Sequence, residues 1–191
     1  MPANKHCNSA FSMLVRVILL VTLLAATAST QTTSKSDVWE PFKFFVGAWE
    51  GTTNGQPGQG TSAREYQFAL NNKFLQVRNK STYASQEKNP KGEVHEDWGM
   101  ISHDRARKKF VLRQFHVEGF VNQYAVETLA ADGKTLSFIS ESIENIPPGF
   151  RARETYRILG KDEFRETFEL AEPGKAFEVY SETTFRRKGR S

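Results

Sequence analysis

Residues 151–159 (RARETYRIL) and 163–170 (EFRETFEL) alternate in character with period two on either side of the turn Gly160-Lys161-Asp162. Successive residues of a strand point to opposite faces, so this alternation marks a half-buried β-hairpin. Ala152, Glu154, Tyr156 and Ile158 share one face, while Arg151, Arg153, Thr155 and Arg157 share the other. In the return strand Phe164, Glu166, Phe168 and Leu170 oppose Arg165, Thr167 and Glu169. A hairpin centred on Lys161 sets Tyr156 opposite Glu166 and Glu154 opposite Phe168, with two carboxylates and a phenol on the apolar side.

The pattern recurs along the chain. Strands are predicted at 47–54, 62–70, 74–83, 93–102, 109–117, 120–129, 135–143, 151–159, 163–170 and 176–186, ten in all. The connections are turn-like: Asn71-Asn72-Lys73, Glu118-Gly119, Asp132-Gly133 and Glu172-Pro173-Gly174-Lys175. An Asp-Gly pair is a strong hairpin signal. One short helical turn, around Trp39 to Phe45, precedes the first strand. Many even strands joined by hairpins predict an all-β fold, a single antiparallel up-and-down barrel of about ten strands, because closure removes exposed edges. A sandwich is the alternative, but it calls for longer crossovers.

The amino terminus carries Lys5 and Arg16, the apolar run Val17 to Ala26 and the small-x-small stretch Ala26-Thr27-Ala28, the pattern of a secretory signal. The run is shorter than the roughly 20 residues of a membrane span. The expected organisation is a signal peptide at 1–28, a spacer at 29–38, a barrel domain at 39–187 and a basic tail at 188–191. An uncleaved anchor is the alternative. Cleavage after Ala28 removes Cys7, the single cysteine, so the exported chain is stable without disulfides. It also lowers the formal charge from +4 to +2 by removing Lys5 and Arg16. No basic stripe interleaved with aromatics exists, so a nucleic-acid partner is not expected. The block Arg186-Arg187-Lys188-Gly189-Arg190 reads as a solvated tail, and Asn79-Lys80-Ser81 fits a glycosylation pattern relevant only in a eukaryotic secretory pathway.

An eight- to ten-stranded barrel has an interior that side chains fill or that holds one small ligand. Its inward face is therefore where function is sought. Arg64, Tyr66 and Phe68 share parity, and His116 shares parity with Phe110 and Leu112. In 93–102 the even set Val94, Glu96, Trp98 and Met100 is the more apolar, so Trp98 is expected inward and His95 and Asp97 outward or at a rim. His95 and Glu96 point to opposite faces, and His95 with Asp97 lacks a further ligand from another strand, so no metal site is expected. The expected ligand-binding set is Arg64, Tyr66, Phe68, Trp98, Arg113, His116, Glu154, Tyr156, Glu166 and Phe168. Glu154, Glu166 and Tyr156 double as candidate acid/base groups, since a buried carboxyl has a raised pKa unless paired.

The segment Phe44-Phe45-Val46-Gly47-Ala48-Trp49-Glu50-Gly51 resembles the opening strand of calycin barrels, the lipocalins and, more closely, the nitrobindin-like group. His95-Glu96-Asp97-Trp98-Gly99 is similar to a nitrobindin segment as well, and the whole of 40–187 is similar to an exported bacterial domain family of unknown function. The resemblance implies a ligand-holding barrel and, from nitrobindins, haem held by a histidine near the last strand. Residues 176–187 hold no histidine, which leaves His116 and Tyr180 as candidate haem ligands. The leading expectation is an exported, periplasmic or extracellular barrel that binds a small, largely apolar or amphipathic molecule. Haem binding and acid/base catalysis of an isomerase type are the alternatives.

Overall fold

The computed structural model describes residues 37–189, so the predicted signal peptide, the spacer up to Ser36 and the end of the basic tail lie outside the described residues. A 3-10 helix, Glu40–Phe45, leads into ten strands: β1 (Gly47–Gly55), β2 (Gly58–Ala69), β3 (Phe74–Tyr83), β4 (Glu93–Asp104), β5 (Lys109–His116), β6 (Val121–Leu129), β7 (Thr135–Glu144), β8 (Arg151–Gly160), β9 (Glu163–Ala171) and β10 (Glu178–Arg187). Each pairs antiparallel with its sequence neighbours, and β1 pairs with β10 to close the barrel. The predicted β8–β9 register holds, with Tyr156 opposite Glu166 and Glu154 opposite Phe168. At Asp132-Gly133 the turn forms as expected: Gly133 has φ +67° and the Lys134 amide donates to Asp132 Oδ1 at 2.9 Å. The β1–β2 hairpin, turning at Gln56-Pro57, is longer than the alternation alone suggests, because β2 begins at Gly58 rather than at 62.

The 3-10 helix closes one end of the barrel. Trp39, Phe42 and Phe45 are buried there among Phe110, Phe138, Tyr156 and Phe164. Each buried aromatic of this kind contributes about 1.5–3 kcal/mol relative to exposure. Trp49 is the hub: its indole Nε1 donates to the Phe45 carbonyl at 2.6 Å and its ring meets Phe164 edge-on at 4.8 Å. Gly47 enters β1 at φ +117°, a conformation L side chains rarely adopt. A Cβ on Gly51 would lie 2.9 Å from Phe185 and 3.0 Å from the Thr184 carbonyl, so β10 approaches β1 too closely for any side chain. These are the packing reasons for Gly-x-Trp-x-Gly.

The basic block is not a free tail. Arg187 lies over the Trp49 ring, 4.1 Å from its centroid, and donates to the carbonyls of Val46 at 2.8 Å and Phe44 at 2.7 Å. Lys188 continues this attachment, with its amide on the Ala48 carbonyl at 2.9 Å and its ammonium on Glu50 at 2.7 Å. The solvated-tail expectation is corrected for Arg187, which is half-buried and supplies donors to the carbonyls at the entry to β1, while the Lys188 side chain stays in solvent. Among the described residues no helix is long and apolar enough to cross a membrane.

Candidate functional site

The barrel end opposite the helix opens into a cavity of about 440 Å³. One side of its wall is apolar, formed by Ile143, Ile146, Phe150, Phe168, Leu170 and Tyr180, and Glu93 and Glu118 stand on the other. Its floor is polar. Two clusters of inward side chains make that floor, and one asparagine joins them.

The first cluster centres on Arg64 of β2. Its guanidinium donates twice to Glu166 of β9, Nη1 to Oε1 at 2.7 Å and Nη2 to Oε2 at 2.8 Å. Both partners are buried, so removing either strands a charge. Beside them Glu154 of β8 accepts a hydrogen bond from the Tyr156 hydroxyl. Burial, reinforced by the Glu166 charge, pushes the Glu154 carboxyl up to about 8. Glu154 is thus a neutral acid near neutral pH, although the Arg64–Glu166 ion pair lies close by. Burial likewise raises the phenol of Tyr156 well above its ordinary value.

The second cluster lies on β4 and β5, whose register sets Asp97 opposite His116. His95 Nδ1 is 2.8 Å from Glu118 Oε1, and His95 Nε2 is 3.5 Å from Asp97 Oδ2 and 3.3 Å from His116 Nδ1. The far nitrogen of His116 meets the Asn122 amide at 3.2 Å, and its ring stacks on Phe120 with centroids 4.1 Å apart. Burial lowers the His95 pKa, but Asp97 and Glu118 outweigh it and bring it up to about 9. Burial, and the charge of His95, bring His116 down to about 4 despite the attraction of Asp97. For Asp97 burial pulls upward, yet His95, Arg64 and His116 hold the carboxyl below its ordinary value.

Asn79 of β3 connects the two. Its Oδ1 accepts from Arg64 Nε at 3.0 Å and its Nδ2 donates to Asp97 Oδ2 at 2.8 Å. An asparagine buried in this way cannot carry a glycan, which must project into solvent. Three buried acceptor oxygens on the cavity floor find no donor: Asp97 Oδ1, Gln114 Oε1 and Asn122 Oδ1.

Several sequence-predicted residues line the cavity: Arg64, His116, Glu154, Glu166, Phe168 and Tyr180. Tyr66, Phe68 and Tyr156 point inward but pack below the cavity, Tyr66 and Tyr156 against Phe45 and Phe68 against Trp39. Two residues stand elsewhere. Trp98 is 57% exposed on the outer wall, with the Arg78 guanidinium 5.0 Å from its ring centroid, and Arg113 is exposed on β5. Trp98 has parity opposite to expectation because β4 turns its polar set inward, toward a wet cavity, and its apolar set outward, while Arg113 lies on the face of β5 opposite to Leu112, Gln114 and His116 and so faces out. His95, Asp97, Asn79, Gln114 and Asn122 are the site residues that periodicity alone misses. His116 lies in the cavity as expected, but both of its ring nitrogens face polar partners, so an axial bond to haem requires one of those contacts to be given up.

No family model matches the chain, and no curated protein matches it. Solved structures do. Rv2717c from M. tuberculosis superimposes with a TM-score of 0.63 at 16% identity, covering 80% of this chain and 98% of that one. The fold is calycin-like. The S-type phycobiliprotein lyase CPES from Guillardia theta shares it, with a TM-score of 0.53 at 14% identity over 82% of this chain and 96% of that one. At such identities the likeness is one of fold.

Proposed function

We propose that this protein is an exported barrel that binds one small amphipathic molecule, apolar body against the wall and polar head on the floor. The observation that carries the reading is the pairing of an apolar wall with buried acceptors that lack donors. Gln114 Oε1 and Asn122 Oδ1 ask for a head group with N–H or O–H donors, because an unmet buried acceptor costs about 1–3 kcal/mol. A cavity of about 440 Å³ lies within the range of small-molecule sites. The polar floor favours an amphipathic occupant over a wholly apolar one. A phycobiliprotein lyase on the same fold is a further, weaker support for a pocket that handles a small molecule. Export follows from the amino-terminal segment, and amino-terminal sequencing of the mature chain tests it.

The binding test is incubation of purified protein with a lipid extract followed by native mass spectrometry. One equivalent of an amphipathic molecule is expected to be retained, and Leu170→Trp, which narrows the wall, is expected to release it. Failure of the wild type to retain anything would refute the reading.

A second reading has its own observation. Glu154, kept protonated by burial beside an ionised pair and opening on the cavity, is placed to give or take a proton, as in an isomerase. Turnover abolished by Glu154→Gln with ligand retention unchanged would mark this chemistry.

A further inference from the structure

We propose that His95, Asp97 and His116 form a binding site for a divalent transition-metal ion, with zinc as the first candidate. The site is independent of whichever molecule fills the rest of the cavity. Its donors come from adjacent strands: His95 and Asp97 are two apart on the inward face of β4, and His116 stands opposite Asp97 on β5. The three residues offer ligand atoms within 4.8 Å of one another.

Spacing supports a tetrahedral ion. Zinc–nitrogen and zinc–oxygen bonds of roughly 2.0–2.2 Å place tetrahedral ligand atoms about 3.3–3.6 Å apart. His95 Nε2 lies 3.3 Å from His116 Nδ1 and 3.5 Å from Asp97 Oδ2. Two of the ligand–ligand distances are thus already tetrahedral, and all three ligand atoms lie within 4.8 Å of one another. Without an ion a proton lies between the two facing imidazole nitrogens, in the place the ion would take.

The surroundings are those of a ligand set. Glu118 Oε1, 2.8 Å from His95 Nδ1, holds the proton there, so that Nε2 is the nitrogen that exchanges its proton for the ion, the carboxylate–histidine arrangement that orients metal ligands. With the Asn122 amide turned to present its unpartnered Oδ1 to His116 Nε2–H, Nδ1 is left bare toward His95 for the ion. Asn79 takes up Asp97 Oδ2 but leaves Oδ1, on a residue only 5% exposed, with no partner. A carboxylate oxygen left bare in a cavity wall is costly, and a cation answers it directly. Two imidazoles and one carboxylate suit zinc among common ions, and three protein ligands leave a fourth position facing the cavity.

The test uses tag-free mature protein, stripped with a chelator and titrated with zinc by calorimetry, then with cobalt(II) by visible absorption. One equivalent is expected to bind, and cobalt is expected to give the intense bands of a tetrahedral field. His116→Ala and His95→Ala are expected to lower affinity at least a hundredfold, and Glu118→Gln about tenfold. Should His116→Ala fail to fold, His116→Gln gives the same comparison, with circular dichroism as the check. No saturable binding, or full binding in both histidine variants, would overturn the site. So would loss of binding in Glu93→Gln with retention in His116→Ala, which would move the ion to the outer Glu93, His95 and Glu118 group.

Discussion

Replacing Glu154 by glutamine separates a protonated buried acid from an ionised one. Glu154 is 4% exposed, its reference pKa is 4.5, and the fold raises it to about 8. Between these values the native chain holds a proton that the unfolded chain has released, so stability falls as pH rises. The slope is about 1.4 kcal/mol per pH unit for one proton, or about 5 kcal/mol across the window. Below pH 4.5 both states are protonated and nothing is lost, and above pH 8 the loss is complete. His95, raised, adds a second falling slope above its reference of 6.5, and His116, lowered, a rising slope below it. Both histidines are present in the variant and cancel in the difference. Urea unfolding in EDTA, followed by tryptophan fluorescence at pH 5, 6, 7 and 8, measures that difference. The two proteins are expected to be similar near pH 5, and Glu154→Gln the more stable by several kcal/mol at pH 8. A difference that does not change with pH would refute a neutral Glu154.

Arg64→Leu leaves Glu166 buried beside Glu154 and is expected to cost about 3–5 kcal/mol in urea unfolding, while Arg64→Leu with Glu166→Leu recovers most of it. Arg187→Ala removes two hydrogen bonds to carbonyls and the cation over Trp49, and a loss of about 2–3 kcal/mol in the same assay is expected. Trp98→Ala, on the outer wall, is expected to change stability by under about 1 kcal/mol and ligand retention not at all, the opposite of what an inward wall residue would show.

The barrel was legible because its signal is repeated. Alternation, Asp-Gly and Pro-Gly turns and the missing helices all point the same way, and the β8–β9 register followed from the position of one turn. The β4 strand was not legible by the same rule. Apolar-in, polar-out assumes an apolar interior, and the upper barrel is a polar cavity. Trp98 finds its cover outside, under Arg78, and Asp97 finds its partners inside. Register would have corrected this. Arg64 pairs with Asn79, Asn79 with Asp97 and Asp97 with His116, and paired residues share a face. Arg64 and His116 were both placed inward from sequence, so everything between them had to be inward too. What sequence withholds is the pairing at the turns, which depends on backbone conformation. Leu70, Asn71 and Asn72 all have positive φ, a run that fixes the β2–β3 register and that only the asparagines announce.

That ladder also explains why the two clusters act as one floor. A carboxylate at position 79 would repel Asp97, and a hydroxyl is too short to span from Arg64 to Asp97. Asparagine alone offers an acceptor at one end and a donor at the other, at the length the barrel requires. Its oxygen is fixed toward Arg64 because the guanidinium can only donate, and its amide nitrogen toward Asp97 because an ionised carboxylate can only accept. The orientation of Asn79 is thus set by two charges of opposite sign on different strands. Either charge alone still fixes the amide, so only loss of both frees it to turn, and a single side chain ties the acid pair on β8 and β9 to the histidines on β4 and β5.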